Sequence, residues 1–365
     1  MSHPSPFSTT LGDYTKAFSL TWGASWEKLV WLILEQSPLL YSMYKKGSIH
    51  LEAAPYARIP FAHAENPNVQ TYQGSMVLNT ADSEFIKTFL WDEWGQISCQ
   101  SVVACDKVDL NQNAKRQIGK LLDAEITQCA ITMRNYIEEQ LHTAFVTGGD
   151  IDGLRGMLEF LTPAAQQTAG TVVGNVAKSS TYHHNQYQQI GGGFMTAGIP
   201  TWTQLYRECS QWGRRPDLML VDPAVYDGYE EWCGPERALV DEDMGSAGFT
   251  SLRFKGATVI PDYNITENSG EGFMLNLTGG APSASSGHGF EPGMLDPVKG
   301  KSKGQTNLGN MKLWINPNAH FFMDDWRLAQ EQWAWISKTK FHGILTTNNL
   351  REHGCFDFAG GAYSA

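Results

Sequence analysis

The sequence predicts an α+β fold, made of one very long helix and several short strands. Apolar residues recur every three or four positions over residues 113–147, which is the period of an amphipathic helix. At 1.5 Å per residue such a helix would be about 50 Å long. Strand-like runs at 252–254 and 257–260 are separated by Lys255-Gly256, and the run "GFMLNL" follows them, which together predict a strand, a turn and further strands.

Length and composition narrow the class of protein. With 365 residues the chain exceeds the size at which single cores usually stop growing, so two subdomains are expected. Its 42% hydrophobic and 18% charged residues are typical of a folded, soluble chain. The formal net charge of −11 disfavours a protein that binds nucleic acid through general electrostatics. We expect neither a signal peptide nor a membrane span.

The cysteines and the segment before the long helix give two further expectations. The 6 cysteines are scattered without a C-x-x-C pair, which favours reduced, mostly buried thiols in a cytoplasmic setting. Apolar residues on both sides of a polar turn at 65–68 predict an extended, hairpin-like arm. Such a ribbon exposes more apolar surface than it can bury on itself, so a partner surface must cover it. The predicted contact residues are Tyr56, Ile59, Phe61, Tyr72, Met76 and Leu78 in the hairpin, with Trp22 and Trp26 before it.

No motif for catalysis or metal binding stands out. His183 and His184 are adjacent, and adjacent side chains rarely point to one site, so a polar loop is favoured. Asp150 and Asp152 resemble the start of a calcium loop, but the remaining oxygen ligands are missing at the required spacing. Three glycines at 191–193 lack the lysine and hydroxyl residues of a phosphate loop. We therefore predict no catalytic, cofactor-binding or metal-ligating residues.

A carboxylate-based hydrolase is a distant alternative. Acidic clusters at 230–231 and 241–243, with 12 tryptophans, could supply paired carboxylates and a sugar cleft. Nothing in the sequence brings these residues together. Solvated acids and aromatic residues of a core or an interface explain them better.

Five motifs occur in an order that resembles a known family. They are "GDIDGLRGML", "GRRPDLMLVDPAVYDGYEEW", "GFTSLRFKGATVIPDYNI", "GFMLNL" and "WISKTKFHGILTTNNLREHGCF". Each motif alone is weak, but their succession after an extended arm and a long helix resembles the major capsid proteins of tailed bacteriophages. The resemblance covers roughly residues 14–356.

The resemblance implies the Hong Kong 97-like capsid fold. In that plan the strands around residues 252–260 build a rigid wedge that packs around a symmetry axis, and no chemistry is expected at their ends. The implied divisions are an N-terminal arm at 1–50, an extended loop at 51–85, a peripheral domain at 86–150 and 311–365 that includes the spine helix at 113–147, and an axial domain at 151–310.

The sequence departs from the family pattern in two places. A Gly-, Pro- and Ser-rich stretch at 278–310 separates "GFMLNL" from "MKLWI" and is expected to be a surface insertion. Only about 50 residues precede the extended loop, whereas some family members begin with a large cleaved scaffolding region. A separate scaffolding protein is therefore expected, and maturation by N-terminal cleavage is not.

The function implied by the resemblance is that of a shell protein. Hexamers and pentamers of the chain would form an icosahedral capsid around packaged double-stranded DNA, without sequence-specific binding. The implied partners are other copies of the chain, a scaffolding protein, a portal and a decoration protein, with no membrane. The implied location is the virion, after assembly in the cytoplasm of a bacterial host. An encapsulin-like shell that encloses cargo enzymes is the alternative.

Overall fold

The computed structural model describes residues 37–51, 57–62, 86–91, 94–104, 115–144, 149–158, 172–174, 176–178, 184–210, 214–233, 251–266, 269–278, 310–324, 326–329 and 333–359. Predictions for Trp22, Trp26 and most of the 278–310 insertion lie outside these residues. The side chains of 57–62 and 86–91 and of the start of the long helix are not described either.

Five α-helices lie in the described part of the chain. They are α1 (Pro38–Lys45), α2 (Lys115–His142), α3 (Leu154–Met157), α4 (Ile199–Cys209) and α5 (Pro223–Cys233). A π-helical turn, Phe194–Gly198, leads directly into α4, and a 3-10 turn, Leu350–Glu352, precedes the last strand.

The strands are β1 (Ile49–Leu51), β2 (Ala57–Ala62), β3 (Ile86–Trp91), β4 (Gly95–Ala104), β5 (Val172–Val173), β6 (Val176–Ala177), β7 (Gln186–Ile190), β8 (Leu218–Val221), β9 (Leu252–Phe254), β10 (Ala257–Pro261), β11 (Gly272–Leu275), β12 (Met311–Met323), β13 (Arg327–Leu328), β14 (Ala334–Thr347) and β15 (Gly354–Phe358). Helices and strands thus mix as the predicted α+β class requires.

The strands around residue 255 belong to a six-stranded mixed sheet with the order β7-β15-β11-β8-β10-β9. β9 and β10 pair antiparallel across Lys255 and Gly256, whose φ angles are 50° and 97°. Two successive positive φ values are those of a tight hairpin turn, and the glycine adopts its value without steric cost. The predicted strand, turn and strand are confirmed.

This sheet is buried on both faces. Along β8, Leu218 and Leu220 face one hydrophobic cluster, and Met219 and Val221 face another. Trp202 of α4 is fully buried in the second cluster and contacts Phe254 and Phe356. Continuous apolar strands of this kind are expected where both faces of a sheet are covered.

The second large sheet has five strands, β1, β4, β12, β13 and β14, and is built on the two longest of them, β12 and β14. β12 pairs antiparallel with β14, and β14 pairs along ten residues with β4 on its other side. Helix α2 packs against β4. Residues of α2, of both long strands and of one face of the six-stranded sheet belong to a single hydrophobic cluster, so the two sheets share this core.

The long helix is confirmed, although it is shorter than predicted. α2 has 28 residues and is therefore about 42 Å long. Cys129, Met133, Ile137 and Leu141 form the buried stripe that the sequence period predicted. The helix ends at His142, before the glycines at 148–149, and the carbonyl oxygen of Thr143, just beyond its end, accepts the N–H of Gly153.

The described part of the predicted arm pairs with a strand that lies just beyond it. β2 pairs antiparallel with β3, so residues 57–62 lie opposite 86–91. The predicted turn at 65–68 and the second half of the arm at 69–78 stay predictions. Residues 63–85 lie outside the described part of the chain.

Two described segments connect parts of the chain that the predicted domain division separates. α1 and β1 fall in the segments assigned to the arm and the extended loop, but Leu39, Leu40 and Met43 are buried in the main core and β1 pairs with β12. β15 was grouped with the peripheral domain, yet it lies inside the six-stranded sheet. Both segments are joined to the body by long-range strand pairing, which local sequence patterns do not reveal.

Candidate functional site

The predicted contact residues can be located only in part. Ile59 and Phe61 lie on β2, where their backbones face Phe89 and Lys87 of β3. Tyr56, Tyr72, Met76, Leu78, Trp22 and Trp26 lie outside the described residues. A two-stranded ribbon is only marginally stable on its own in water, so we expect another surface to cover the β2–β3 hairpin.

A second candidate contact surface lies at one end of the five-stranded sheet. The register places Val102 of β4 opposite Ile336 of β14, and Ile336 opposite Arg327 of β13. Val102 is 42% exposed, and Trp333, next to the start of β14, is 64% exposed. Val102 lies on β4 and Trp333 directly precedes β14, so both apolar side chains are exposed near the same end of the sheet.

The sequence analysis missed further exposed aromatic residues. Tyr263, in the turn after β10, is 85% exposed, and Trp232 at the end of α5 is 47% exposed while it stacks on Tyr229. The sequence could have indicated that these aromatic residues are exposed, since both lie at the ends of predicted elements. Exposed aromatic side chains are typical of protein interfaces.

The buried carboxylate of Glu352 holds the C-terminal "NNLREHG" motif to both sheets. One carboxylate oxygen accepts hydrogen bonds from the side-chain amides of Asn276 and Asn310, each at 2.8 Å. The other accepts from Arg214 at 3.1 Å and from Asn349 at 2.9 Å. Burial raises the pKa of Glu352, and the Arg214 guanidinium opposes that rise. Because both oxygens are fully satisfied, this glutamate is structural.

A second buried cluster joins helix α2 to the six-stranded sheet. Glu138 and His142 are one helical turn apart on α2, and Asp262 follows β10 directly. Nε2 of His142 lies 2.8 Å from Oδ2 of Asp262, and both side chains are 2% exposed or less. Ser37, the N-cap of α1, donates its hydroxyl to Glu138. One ligand atom from each of Glu138, His142 and Asp262 lies within 4.8 Å of the others.

The electrostatics of this cluster follow from its burial. Burial raises the pKa of the Glu138 carboxyl to about 7, against the opposing effect of His142. Burial alone would lower the pKa of His142, but the Asp262 carboxylate raises it to about 9. Burial would likewise raise the pKa of Asp262, and the imidazolium of His142 lowers it instead. The sequence predicted no metal-ligating residues, and it missed this cluster because Asp262 is 120 positions from His142 in the chain.

The features weighed for an enzyme do not converge in the described part of the chain. Glu231 is exposed near the end of α5, and the acids at 241–243 lie outside the described residues. His184 is buried, and His183 lies outside the described residues. Among the described cysteines, Cys129, Cys209 and Cys355 are buried, as predicted.

No described helix combines the length and the apolar composition that a membrane span requires.

Comparison with known proteins gives similarity in structure without similarity in sequence. No protein-family model and no curated protein matches the chain. The capsid asymmetric unit of cyanophage A-1(L) is similar with a TM-score of 0.56 and 12% identity, over 89% of this chain and 93% of that one. The capsid of a native GTA particle has a TM-score of 0.54 and 10% identity, over 87% and 90% of the two chains.

An encapsulin is similar to about the same degree. The holo-SrpI encapsulin complex from Synechococcus elongatus PCC 7942 has a TM-score of 0.51 and 12% identity, over 87% of each chain. All three structures are matched along most of their length, so the likeness is to a whole subunit rather than to one motif. The chain therefore has the Hong Kong 97-like fold that phage capsid proteins and encapsulins share.

Proposed function

We propose that the chain is the major capsid protein of a tailed bacteriophage, which assembles into hexamers and pentamers of an icosahedral shell around double-stranded DNA. The observation that carries the proposal is the likeness of nearly the whole chain to capsid subunits, at 89% coverage for the cyanophage capsid. A shell subunit acts by packing against many identical copies. This fold offers strands and a long helix for those contacts.

The buried Glu352, the positions of the exposed apolar side chains and the net charge all support a structural role without catalysis. Glu352 is satisfied on both carboxylate oxygens, and the exposed apolar side chains lie on sheet ends and turns instead of in a cleft. The net charge of −11 suits a shell wall that must release packaged DNA, because a strongly basic lumen would hold the duplex.

The architecture suggests how the subunit is divided. We assign α2 and the five-stranded sheet to the peripheral domain and the six-stranded sheet to the axial domain. The β2–β3 hairpin is assigned to the extended loop, whose contact residues would include Ile59 and Phe61. A separate scaffolding protein, a portal and a decoration protein are the partners that this role calls for, and the virion is the location.

Replacement of part of the extended loop tests the proposal. Residues 66–73 are exchanged for a short Gly-Ser linker, which leaves β2 and β3 intact. The subunit should remain folded by circular dichroism while closed particles disappear from electron micrographs. A control replaces Gln100, an exposed residue of β4, with Ala and should assemble like the wild type. Normal closed shells from the loop variant would remove the loop from the assembly mechanism.

An encapsulin-like compartment is the second candidate, because the encapsulin likeness has a TM-score of 0.51. The two shells differ in what they enclose. Particles purified from the expressing cell and treated with nuclease should contain protected DNA if the protein is a capsid protein. A co-purifying folded enzyme in place of DNA would favour the compartment.

A further inference from the structure

Two buried glutamates differ in how many of their carboxylate oxygens accept hydrogen bonds. Glu352 receives hydrogen bonds on both oxygens, as described above. Glu138 receives them from the Ser37 hydroxyl and the Leu39 backbone N–H, at the start of α1. Its Oε1 has no hydrogen-bond partner among the described residues, and because Glu138 is only 4% exposed, this oxygen is buried. A buried, unpaired carboxylate oxygen is costly and requires an explanation.

The histidine beside this oxygen is held in the tautomer that a metal ion needs. Nδ1 of His142 lies 2.7 Å from the backbone carbonyl oxygen of Glu138. A carbonyl oxygen can only accept, so Nδ1 carries the proton and donates it. In the neutral ring Nε2 then presents a lone pair. A histidine ligand whose other nitrogen donates to a backbone carbonyl is the usual arrangement at protein metal sites.

The third group also has a free oxygen. Oδ1 of Asp262 accepts hydrogen bonds from the backbone and side-chain nitrogens of Asn264, at 3.0 and 3.1 Å. Oδ2 accepts no hydrogen bond from Asn264 and lies 2.8 Å from Nε2 of His142, so both atoms point toward the same place in the cluster.

The charges of the cluster balance with a divalent cation. Without an ion, the His142 imidazolium pairs with the Asp262 carboxylate at 2.8 Å. A cation that takes the place of the proton on Nε2 would leave two carboxylates and a neutral imidazole, whose charge of −2 a divalent ion balances. A divalent cation would neutralise both carboxylates at once, whereas without it two protons must be taken up.

We propose that Glu138, His142 and Asp262 form a binding site for a divalent transition-metal cation, with Zn²⁺ as the best match to one imidazole and two carboxylates. Their ligand atoms lie within 4.8 Å of one another. Ligands at the usual Zn–N and Zn–O lengths are about 3.4 Å apart in a tetrahedral site, so Nε2 of His142 and Oδ2 of Asp262, now 2.8 Å apart, would separate slightly around a bound ion.

The position of the site defines its role. Glu138 and His142 come from the long helix, Asp262 comes from the end of β10, and Ser37 orients Glu138 from the start of α1. An ion bound there would link α2 to the end of β10 inside a single subunit. The site stands on these contacts alone, so it does not depend on the proposed shell function.

Metal titration of the full-length chain tests the site. The protein is treated with a chelator, desalted and titrated with ZnCl₂ by calorimetry, and its thermal unfolding is measured with and without the ion. We expect one tight Zn²⁺ per chain and a rise in Tm. Glu138→Gln keeps the hydrogen bonds to Ser37 and Leu39 but removes the anionic ligand, and should weaken binding at least about tenfold. The matched control is Glu139→Gln, at an exposed neighbouring position.

Each outcome bears on the proposal. Equal affinity in Glu138→Gln and the wild type, or no tight site in the wild type, would show that the cluster is an internal ion pair with a protonated carboxyl only. If Glu138→Gln does not fold, X-ray absorption at the zinc edge of the wild type decides the question. One imidazole and two or three oxygens near 2.0–2.1 Å support the site, and a shell of several imidazoles or of water alone overturns it.

Discussion

Gly153 packs against the carbonyl oxygen of Gln140 at the last turn of α2. A Cβ built on Gly153 would lie 2.6 Å from the carbonyl oxygen of Thr143 and closer still to that of Gln140. The N–H of Gly153 also donates to Thr143 at 3.1 Å. The end of the long helix is therefore packed against a residue that must have no side chain.

Gly153→Ala should destabilise the subunit by about 1–3 kcal/mol, because backbone atoms at the helix end cannot move aside as a flexible side chain could. Urea unfolding followed by circular dichroism measures the change. Gly191→Ala is the control, since an added Cβ there meets no atom within 4 Å, and its free energy of unfolding should change by less than about 0.5 kcal/mol. Equal stability of Gly153→Ala and the wild type would contradict the packing at this helix end.

Met133→Asp tests the buried stripe of α2. Met133 is 2% exposed, so an aspartate there would bury an unpaired charge and cost roughly 3 kcal/mol or more. Ile131→Asp introduces the same charge two positions away, at a residue that is 37% exposed, and should have little effect. The yield of soluble protein and the urea midpoint of both variants are compared. Similar losses in both would mean that the stripe is placed on the wrong side of the helix.

The stability of the subunit should fall as the pH decreases below about 6.5, partly because of His353. This ring accepts the backbone N–H of Asn276 on Nδ1 at 3.2 Å and contacts Thr347 Oγ1 through Nε2 at 3.1 Å, so it is neutral. Burial lowers the pKa of His353 to about 3, and the attraction of Asp217 only partly opposes this.

Between pH 6.5 and 3 the unfolded chain would bind a proton at this histidine that the folded chain does not. The free energy of unfolding should therefore decrease by up to about 1.4 kcal/mol per pH unit from this group. His353→Asn keeps an acceptor for Asn276 and removes the titration. Its urea midpoints at pH 7, 6, 5 and 4 should decrease less steeply than those of the wild type. Parallel curves would show that His353 is protonated in the folded state.

Val102→Lys tests the apolar surface at the end of the five-stranded sheet. Val102 is 42% exposed, so the change should leave the free energy of unfolding within about 0.5 kcal/mol of the wild type while it reduces assembly. Gln100→Lys puts the same charge on the same face of β4 and is the control. Light scattering during assembly compares the two. Unimpaired assembly of Val102→Lys would exclude this surface from subunit contacts.

Local patterns predicted those elements that local forces determine. The period of Met133, Ile137 and Leu141 identified the long helix, and Lys255-Gly256 identified the hairpin turn. What the sequence could not give is pairing between distant segments. β2 pairs with β3 across 23 intervening residues, and β15 enters a sheet whose other strands begin at residue 186.

The buried clusters were missed for the same reason. Glu138 and His142 have the spacing of one helical turn, which the sequence shows, but their third partner, Asp262, follows a strand in another part of the chain. Glu352 likewise gathers donors from Arg214, Asn276 and Asn310. A single sequence does not show which distant residues contact one another, because in its local context each of these residues resembles an ordinary solvated side chain.

Cryo-electron microscopy of the purified full-length protein tests the central claim most directly. The protein is concentrated in steps, with and without polyethylene glycol as a crowding agent, and imaged at each step. The account predicts hexameric or pentameric capsomers and curved or closed shells in which the β2–β3 hairpin contacts a neighbouring subunit. A protein that remains monomeric at every concentration, or whose assemblies leave this hairpin uncovered, would contradict it.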